Sequence, residues 1–286
     1  MTVLIAGFFI FTYQRKIFVF SNIERSNSGN NSETFLLLGK TGKVIGWNQA
    51  PDLADAVVLV DYRPKLGVVN LISLPRDLYV NLGGESFKLN EVVSRNKIGD
   101  FLDKLPEITG LKTDKFIVVD LDLLKDIVDD LGGIDIKLNS SAIDRVSGYT
   151  MEKGQHHLDG EQTVWLVRNR FAPEGDFFRE KNQHQIIQAL IDKYKNLDSI
   201  KKASFLFKIT PEITKMQTNI NFQELLPLIE KFGNVRFNDV VLDFQTGLLE
   251  SSFSIIGTST EYILIPPKGQ ENYGEIKNFI EGRLEK

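Results

Sequence analysis

Apolar and polar positions along this chain alternate between two regimes, short and largely apolar runs and longer stretches with helical spacing. Residues 35–38, 56–61 and 68–74 form apolar runs closed by Gly39, Asp61 and Pro75, which have the length and β-branching of buried strands. Arg63, Pro64 and Gly67 lie between the second and third runs and predict a hairpin turn. Residues 90–96 and 99–108 predict helices, the second closed by Gly110, and residues 115–120 predict a strand. Over 121–131, Leu124, Ile127, Val128 and Leu131 share one helix face, and Gly132 and Gly133 end that helix before a strand at 134–138. This strand–helix–strand order predicts a right-handed crossover within a mixed sheet. A short helix is expected at 161–167 and a long one at 177–197, with Ile186, Ile187, Leu190 and Ile191 as its buried stripe. Helices at 205–209, 222–232 and 273–284 and strands at 239–244 and 262–265 complete the pattern. The expected fold class is α/β.

The pattern changes at the N-terminus. Residues 1–12 are apolar, but as a helix they would reach about 18 Å against a hydrocarbon core of roughly 30 Å, too short to cross. Arg15 and Lys16 follow directly and oppose an outside location for what comes next. Residues 1–20 therefore read as an apolar segment or a partial membrane anchor, its upstream part missing if the start is assigned late. Residues 21–33 are a polar, low-complexity tether, and the folded domain is expected over 34–286.

With 286 residues and 42% hydrophobic content the chain can bury one large core. A net charge of −4 argues against nucleic acid as a partner. The absence of cysteine excludes disulfides, thiolate catalysis and cysteine-bound metal. Gly39, Lys40 and Thr41 lack the glycine five positions earlier that a phosphate loop requires, since Thr34 stands there. His156, His157 and His184 lack the spacing of a zinc site and are expected in exposed loops. No nucleophile-elbow motif marks a serine triad.

Candidate chemistry concentrates in two places. Arg168, Arg170 and Arg179, with Asp176 and Gln183, crowd one stretch, and converging guanidinium groups suit phosphate or carboxylate. On this stretch alone, a solvated helix start with its own ion pairs fits equally well. Arg179 and Gln183 are four apart near a helix N-terminus, which favours anions. Far upstream, the strand at 68–74 delivers Arg76 and Asp77 at its carboxyl end, where open α/β sheets bind ligands. Asp55 stands at the entry of the preceding strand, so hairpin geometry makes it a neighbour of Asp77. Two such carboxylates suit a hard divalent cation bridging phosphate oxygens.

In order, Asp55, Ser-Leu-Pro-Arg-Asp at 73–77, Lys-Leu-Asn at 88–90, Asp120, the Asp-Asp-Leu-Gly-Gly segment at 129–133, Leu-Asp-Gly-Glu at 158–161, Arg168, Arg170, Asp176, Arg179 and Gln183 resemble the LytR-CpsA-Psr family from about residue 34 onward. The resemblance implies a single α/β/α sandwich with a mixed central sheet and a long apolar pocket for a polyprenyl chain. It also implies a Mg²⁺-dependent phosphotransferase that moves a glycopolymer from a polyprenyl-pyrophosphate carrier to peptidoglycan, with a pyrophosphatase side reaction when water is the acceptor. The domain would lie outside the cytoplasmic membrane, held by a single N-terminal anchor. Carried across position by position, the pyrophosphate ligands fall on Arg76, Arg168, Arg170 and Arg179, the metal-associated acids on Asp55 and Asp77, and the motif's glutamine on Gln183. Leu53, Ala56 and Asn182 depart from the family's pattern, so a weakly active or inactive carrier-binding protein is the alternative. A transcriptional regulator is the less favoured one, given the acidic composition.

Overall fold

The computed structural model describes residues 32–41, 52–144, 148–169, 175–221, 224, 235–242, 246–256 and 259–284. The apolar segment at 1–20, most of the tether, Arg170 and nearly all of the helix expected at 222–232 lie outside them. The elements in chain order are β1 (Glu33–Lys40), β2 (Ala54–Arg63), β3 (Val68–Ser73), β4 (Tyr79–Leu82), β5 (Glu85–Lys88), α1 (Ile98–Thr109), β6 (Phe116–Asp120), α2 (Leu121–Asp130) and β7 (Ile134–Leu138). There follow β8 (Ala142–Ile143), β9 (Thr150–Met151), β10 (Gly154–Leu158), α3 (Gly160–Arg168), α4 (Asp176–Lys195), α5 (Ser199–Ile213), β11 (Gln217–Thr218), β12 (Arg236–Val241), β13 (Glu250–Ile256), β14 (Ser259–Ile265) and α6 (Gly274–Arg283).

The central sheet runs β11-β6-β1-β2-β3-β12, with β1 parallel to β6 and β3 parallel to β12. Both neighbours of β2 run antiparallel to it. The carboxyl ends of β1, β3, β6 and β12 thus share one edge with the start of β2. Strand residues alternate between faces. Leu36, Leu38, Val57, Leu59 and Ile72 pack with Phe101 and Leu105 of α1 and Ile276 and Ile280 of α6. Phe35, Val58, Val60, Leu71 and Ile117 turn the other way and meet Ile187 and Ile191 of α4. Helices on both faces of a mixed sheet give the expected α/β/α sandwich.

Two expectations need correction, and one strand had no expectation at all. Strand β7 does not join the central sheet; it pairs with β10 in a separate ladder. Ile134, Ile136 and Leu138 are buried while Asp135 and Lys137 are exposed, and a strand covered on both faces would have to be apolar on both. Residues 90–96 form no helix; a short 3₁₀ turn at Leu89–Glu91 is followed by further turns. The hairpin partner β13, too rich in serine to read as apolar, pairs with β14 over its full length.

Candidate functional site

Residues 74–78, which follow β3, are fixed by backbone hydrogen bonds to three different elements. Leu74 N–H donates to Val57 O at 2.9 Å, Asn90 N–H to Arg76 O at 2.8 Å, and Leu264 N–H to Asp77 O at 2.8 Å. The segment is short and proline-broken, yet its backbone polar groups are met on several sides, so Arg76 and Asp77 stand on a rigid base. On the facing strand the pairing runs Gly39 to Ala56 and then Lys40 to Ala54, which leaves Asp55 as the extra residue of a bulge. Bulges re-aim side chains at sheet rims. Gly39 eases this close approach, because a Cβ on it would lie 3.0 Å from the Ala56 Cβ, tighter than ordinary contact.

The bulge brings Asp55 to Arg76, whose Nη1 donates to Asp55 Oδ1. Arg76 Nε also lies 3.5 Å from Asp77 Oδ2, so the guanidinium bridges both acids. Lys88 extends the chain of charges, at 3.5 Å from Asp77 Oδ1 and 2.7 Å from Glu261 Oε2. Burial alone would lower the Lys88 ammonium. Its hydrogen bond to Glu261 and the charges of Asp77 and Glu261 outweigh that and hold it above the ordinary lysine range.

Beside this cluster a cavity of about 250 Å³ opens between the sheet and helices α2 and α4. Its walls are apolar, with Leu37 and Val58 from the sheet, Leu124 and Ile127 from α2, and Ile187 and Ile191 from α4. Asp55, Arg168 and Gln183 are its polar lining, together with Lys40, Thr41 and Asp120. The volume falls just below the roughly 300–1,000 Å³ usual for pockets that enclose a drug-sized ligand.

Arg168 reaches the cavity because α3 is anchored at its other end. Asp159 caps it by accepting from Gln162 N–H at 2.8 Å, and Gln162 returns a bond to the Asp159 backbone. Gly160 then lies against α2, where a Cβ would come within 2.5 Å of Lys125 O. Gln183 Nε2 donates to Asp55 O at 3.4 Å and ties α4 to the bulge. Arg179, one turn earlier on α4, is only 1% exposed and does not line the cavity.

Two carboxylates joined through Arg76 match a Mg²⁺ ion, which takes one or two carboxylates and completes its shell with water and phosphate oxygens. No group of three or more His, Cys, Asp or Glu side chains is placed to hold a metal among the described residues. A magnesium ion here would therefore depend on the substrate's own oxygens.

His184 is 0% exposed, not a loop residue, and is hydrogen-bonded at both ring nitrogens. Nε2 lies 2.8 Å from Ser73 Oγ and Nδ1 lies 3.0 Å from Asp239 Oδ1. Ser73 is 1% exposed, so its hydroxyl has no route to a substrate and the three residues act as a clamp between α4 and two strands. Separations of 111 and 55 residues left no local signal for this set. His156 and His157 belong to strand β10, where His157 Nδ1 lies 2.7 Å from Asp135 Oδ1.

A family model described as the LytR_cpsA_psr family matches residues 13–250. A Bacillus licheniformis protein named polyisoprenyl-teichoic acid–peptidoglycan teichoic acid transferase TagU is 31% identical over 186 residues, 64% of this chain and 60% of that protein. Bacillus subtilis TagV, named as a transferase of the same kind, is 30% identical over 185 residues, 61% of this chain and 47% of that protein. The chain thus spans 60% or less of the length of these two relatives. Among solved structures, TagT bound to LIIa-WTA superposes with a TM-score of 0.64 at 22% identity, covering 92% of this chain and 94% of the other. The crystal structure of B. subtilis TagV gives 0.62 at 22% identity, covering 88% and 98%. At that identity the superpositions establish the shared fold.

Proposed function

We propose that this chain, which belongs to the LytR-CpsA-Psr family, is a transferase that moves a glycopolymer from a polyprenyl-pyrophosphate carrier to a peptidoglycan hydroxyl. The observation that carries this reading is an apolar cavity lined in part by Asp55, Arg168 and Gln183, with Arg76 bridging Asp55 and Asp77 beside it. An apolar tail and a pyrophosphate head need that juxtaposition. The names of TagU and TagV, which pair a polyisoprenyl-linked polymer with peptidoglycan, support the donor and acceptor classes.

In the proposed reaction the acceptor hydroxyl attacks the phosphorus that carries the glycopolymer. The bond from that phosphorus to the bridging oxygen breaks, and polyprenyl monophosphate leaves. Such transfers depend mainly on alignment and on neutralising developing charge. Arg76 and Arg168 would hold the phosphates, with Arg170 and Arg179 as further candidates, and Gln183 would fix Asp55 through its backbone oxygen. Asp55 and Asp77 would hold Mg²⁺, whose chemistry there is to withdraw charge from phosphate oxygens. With their charge so engaged, the two acids compete less for Arg76. Asp77 is a candidate for the group that takes the hydroxyl proton, but only if it is not itself bound to the metal. The domain would act outside the cytoplasmic membrane, held there through its N-terminal segment.

A second reading, a carrier-binding protein with little turnover, is favoured by Asn182, which departs from the family's pattern, is 3% exposed and is not part of the cavity wall. The test is to supply a polyprenyl-pyrophosphate-linked glycopolymer and peptidoglycan and to follow polyprenyl monophosphate release with and without Mg²⁺. Metal-dependent release with polymer appearing on peptidoglycan is the expected result. Tight carrier binding without release would leave the second reading standing.

A further inference from the structure

Helix α4 lies over the sheet with a cavity along each flank. Gln183, Ile187 and Ile191 line the apolar one. Lys181 and Gln185, four apart on another stripe, line a second cavity of about 530 Å³. Two positions advance a helix by about 200°, so 181 and 183 face opposite sides. The second cavity is completed by Asn139 beyond β7, Asp239 of β12, and Phe279 and Arg283 of α6.

Its chemistry differs from the first. Two side-chain amides, a lysine and an arginine surround it, and the Arg283 guanidinium sits 5.1 Å from the centre of the Phe279 ring. Gln185 Oε1 is buried and accepts no hydrogen bond among the described residues, a state that a ligand hydroxyl would relieve. Amides beside an aromatic ring suit a hydroxyl-rich sugar, and Lys181 and Arg283 suit its carboxylates. Asp239 on the cavity wall is also the residue clamped through His184 to Ser73, three positions before Arg76. The cavity is thereby tied to the strand that delivers the phosphate site.

We infer that this polar cavity binds the glycan acceptor, so that donor lipid and acceptor sugar approach the first turns of α4 from opposite flanks. The inference rests on the transferase reading and adds to it where the acceptor docks.

The experiment uses the full chain and a soluble, uncross-linked peptidoglycan disaccharide-peptide as probe, titrated alongside polyprenyl phosphate. Lys181→Ala combined with Gln185→Ala is expected to weaken probe binding at least tenfold and to raise the acceptor KM, with polyprenyl phosphate affinity retained. Arg283→Ala, from a different element, should weaken the probe severalfold by itself. Unchanged probe affinity in both variants overturns the inference. A native chain that binds the lipid but not the probe overturns it alone, whereas one that binds neither overturns the carrier reading as well.

Discussion

Asp55 accepts a hydrogen bond from Arg76 Nη1, so the bulged start of β2 and the loop after β3 meet in a single ion pair. Hairpin pairing sets the two backbones side by side, and the bulge turns the carboxylate towards the guanidinium. The pair is partly open to solvent, with side-chain exposures of 15% for Arg76 and 22% for Asp55. A part-buried pair that water still reaches contributes modestly to stability, somewhat more than a fully exposed one. A geometry with modest energetic return makes sense at a binding site, where the arginine is held ready for an anion.

Arg76→Ala should therefore separate stability from function. Loss of the pair should cost about 0–1 kcal/mol. Loss of a charge-assisted phosphate contact should cost about 1.5–3 kcal/mol, or roughly tenfold to over a hundredfold in carrier affinity. Thermal melting and a pyrophosphate-lipid titration on the same sample check both numbers. A large drop in melting temperature with normal affinity would make Arg76 a structural partner.

Filling the apolar cavity should displace lipid without touching the charges. Ile187 lines the wall and also packs against the sheet, so Ile187→Trp places an indole in the space. Protein purified from a polyprenyl-producing host is expected to carry bound lipid in the native form and little in the variant, by mass spectrometry of extracts. Inorganic pyrophosphate affinity should stay within about twofold, because Arg76 and Asp77 are not part of the cavity wall and keep their charges. Equal lipid content in both would detach the cavity from the carrier.

Parts of this site were legible in the sequence because they follow from local rules. The proximity of Asp55 to residues 76–77 comes from hairpin geometry, and the shared face of Arg179 and Gln183 from helical spacing. The bulge at Asp55 was not legible, since one extra residue in a pairing leaves no mark in an apolar run. The burial of Arg179 and the His184 clamp depend on how α4 is set against β3 and β12, which no spacing encodes. Strand β7 shows the reverse case. Its alternation of Ile134, Ile136 and Leu138 with Asp135 and Lys137 already contradicted a doubly covered strand, and the helix between two strands misled the reading.

The His184 clamp makes a graded stability prediction. His184→Ala should cost about 2–5 kcal/mol, since it opens a cavity and leaves the buried Ser73 hydroxyl without its partner. His184→Gln can bond to one side and should recover part of that. Denaturant midpoints for the two variants, combined with Ser73→Ala in a double-mutant cycle, measure the coupling. Additive losses would mean that the Ser73 contact carries no energy.

Lys88 supplies a pH test. Its folded-state pKa is raised by Glu261 and Asp77, so the protonated lysine favours the folded state. That contribution is complete below the unfolded value of about 10.4 and is lost as pH rises through the folded value. The stability difference between the native chain and Glu261→Gln should be flat from neutral pH towards 10 and then shrink above it. A difference that grows in the alkaline range would refute the assignment.

The departures at 53 and 182 make opposite predictions, because the structure puts them in different surroundings. Asn182 is buried, and its Nδ2 has no hydrogen-bond partner among the described residues. Asn182→Arg would force a longer, charged side chain into filled space, at a cost of about 1–3 kcal/mol for the added volume alone. For a chain of this size that corresponds to a fall in melting temperature of about 2 °C per kcal/mol, with no gain in transfer. Leu53 is half-buried just before β2, where its carbonyl accepts from Thr41 N–H at 3.3 Å at the edge of the cavity lined by Thr41 and Asp55. Leu53→Arg should leave stability nearly unchanged and strengthen pyrophosphate-lipid binding, because a guanidinium there adds a cation beside Asp55 without displacing core. If polyprenyl monophosphate release also rises, the native chain is a working enzyme with one weakened phosphate contact. If binding strengthens and release stays at zero, the chain holds the carrier without turning it over.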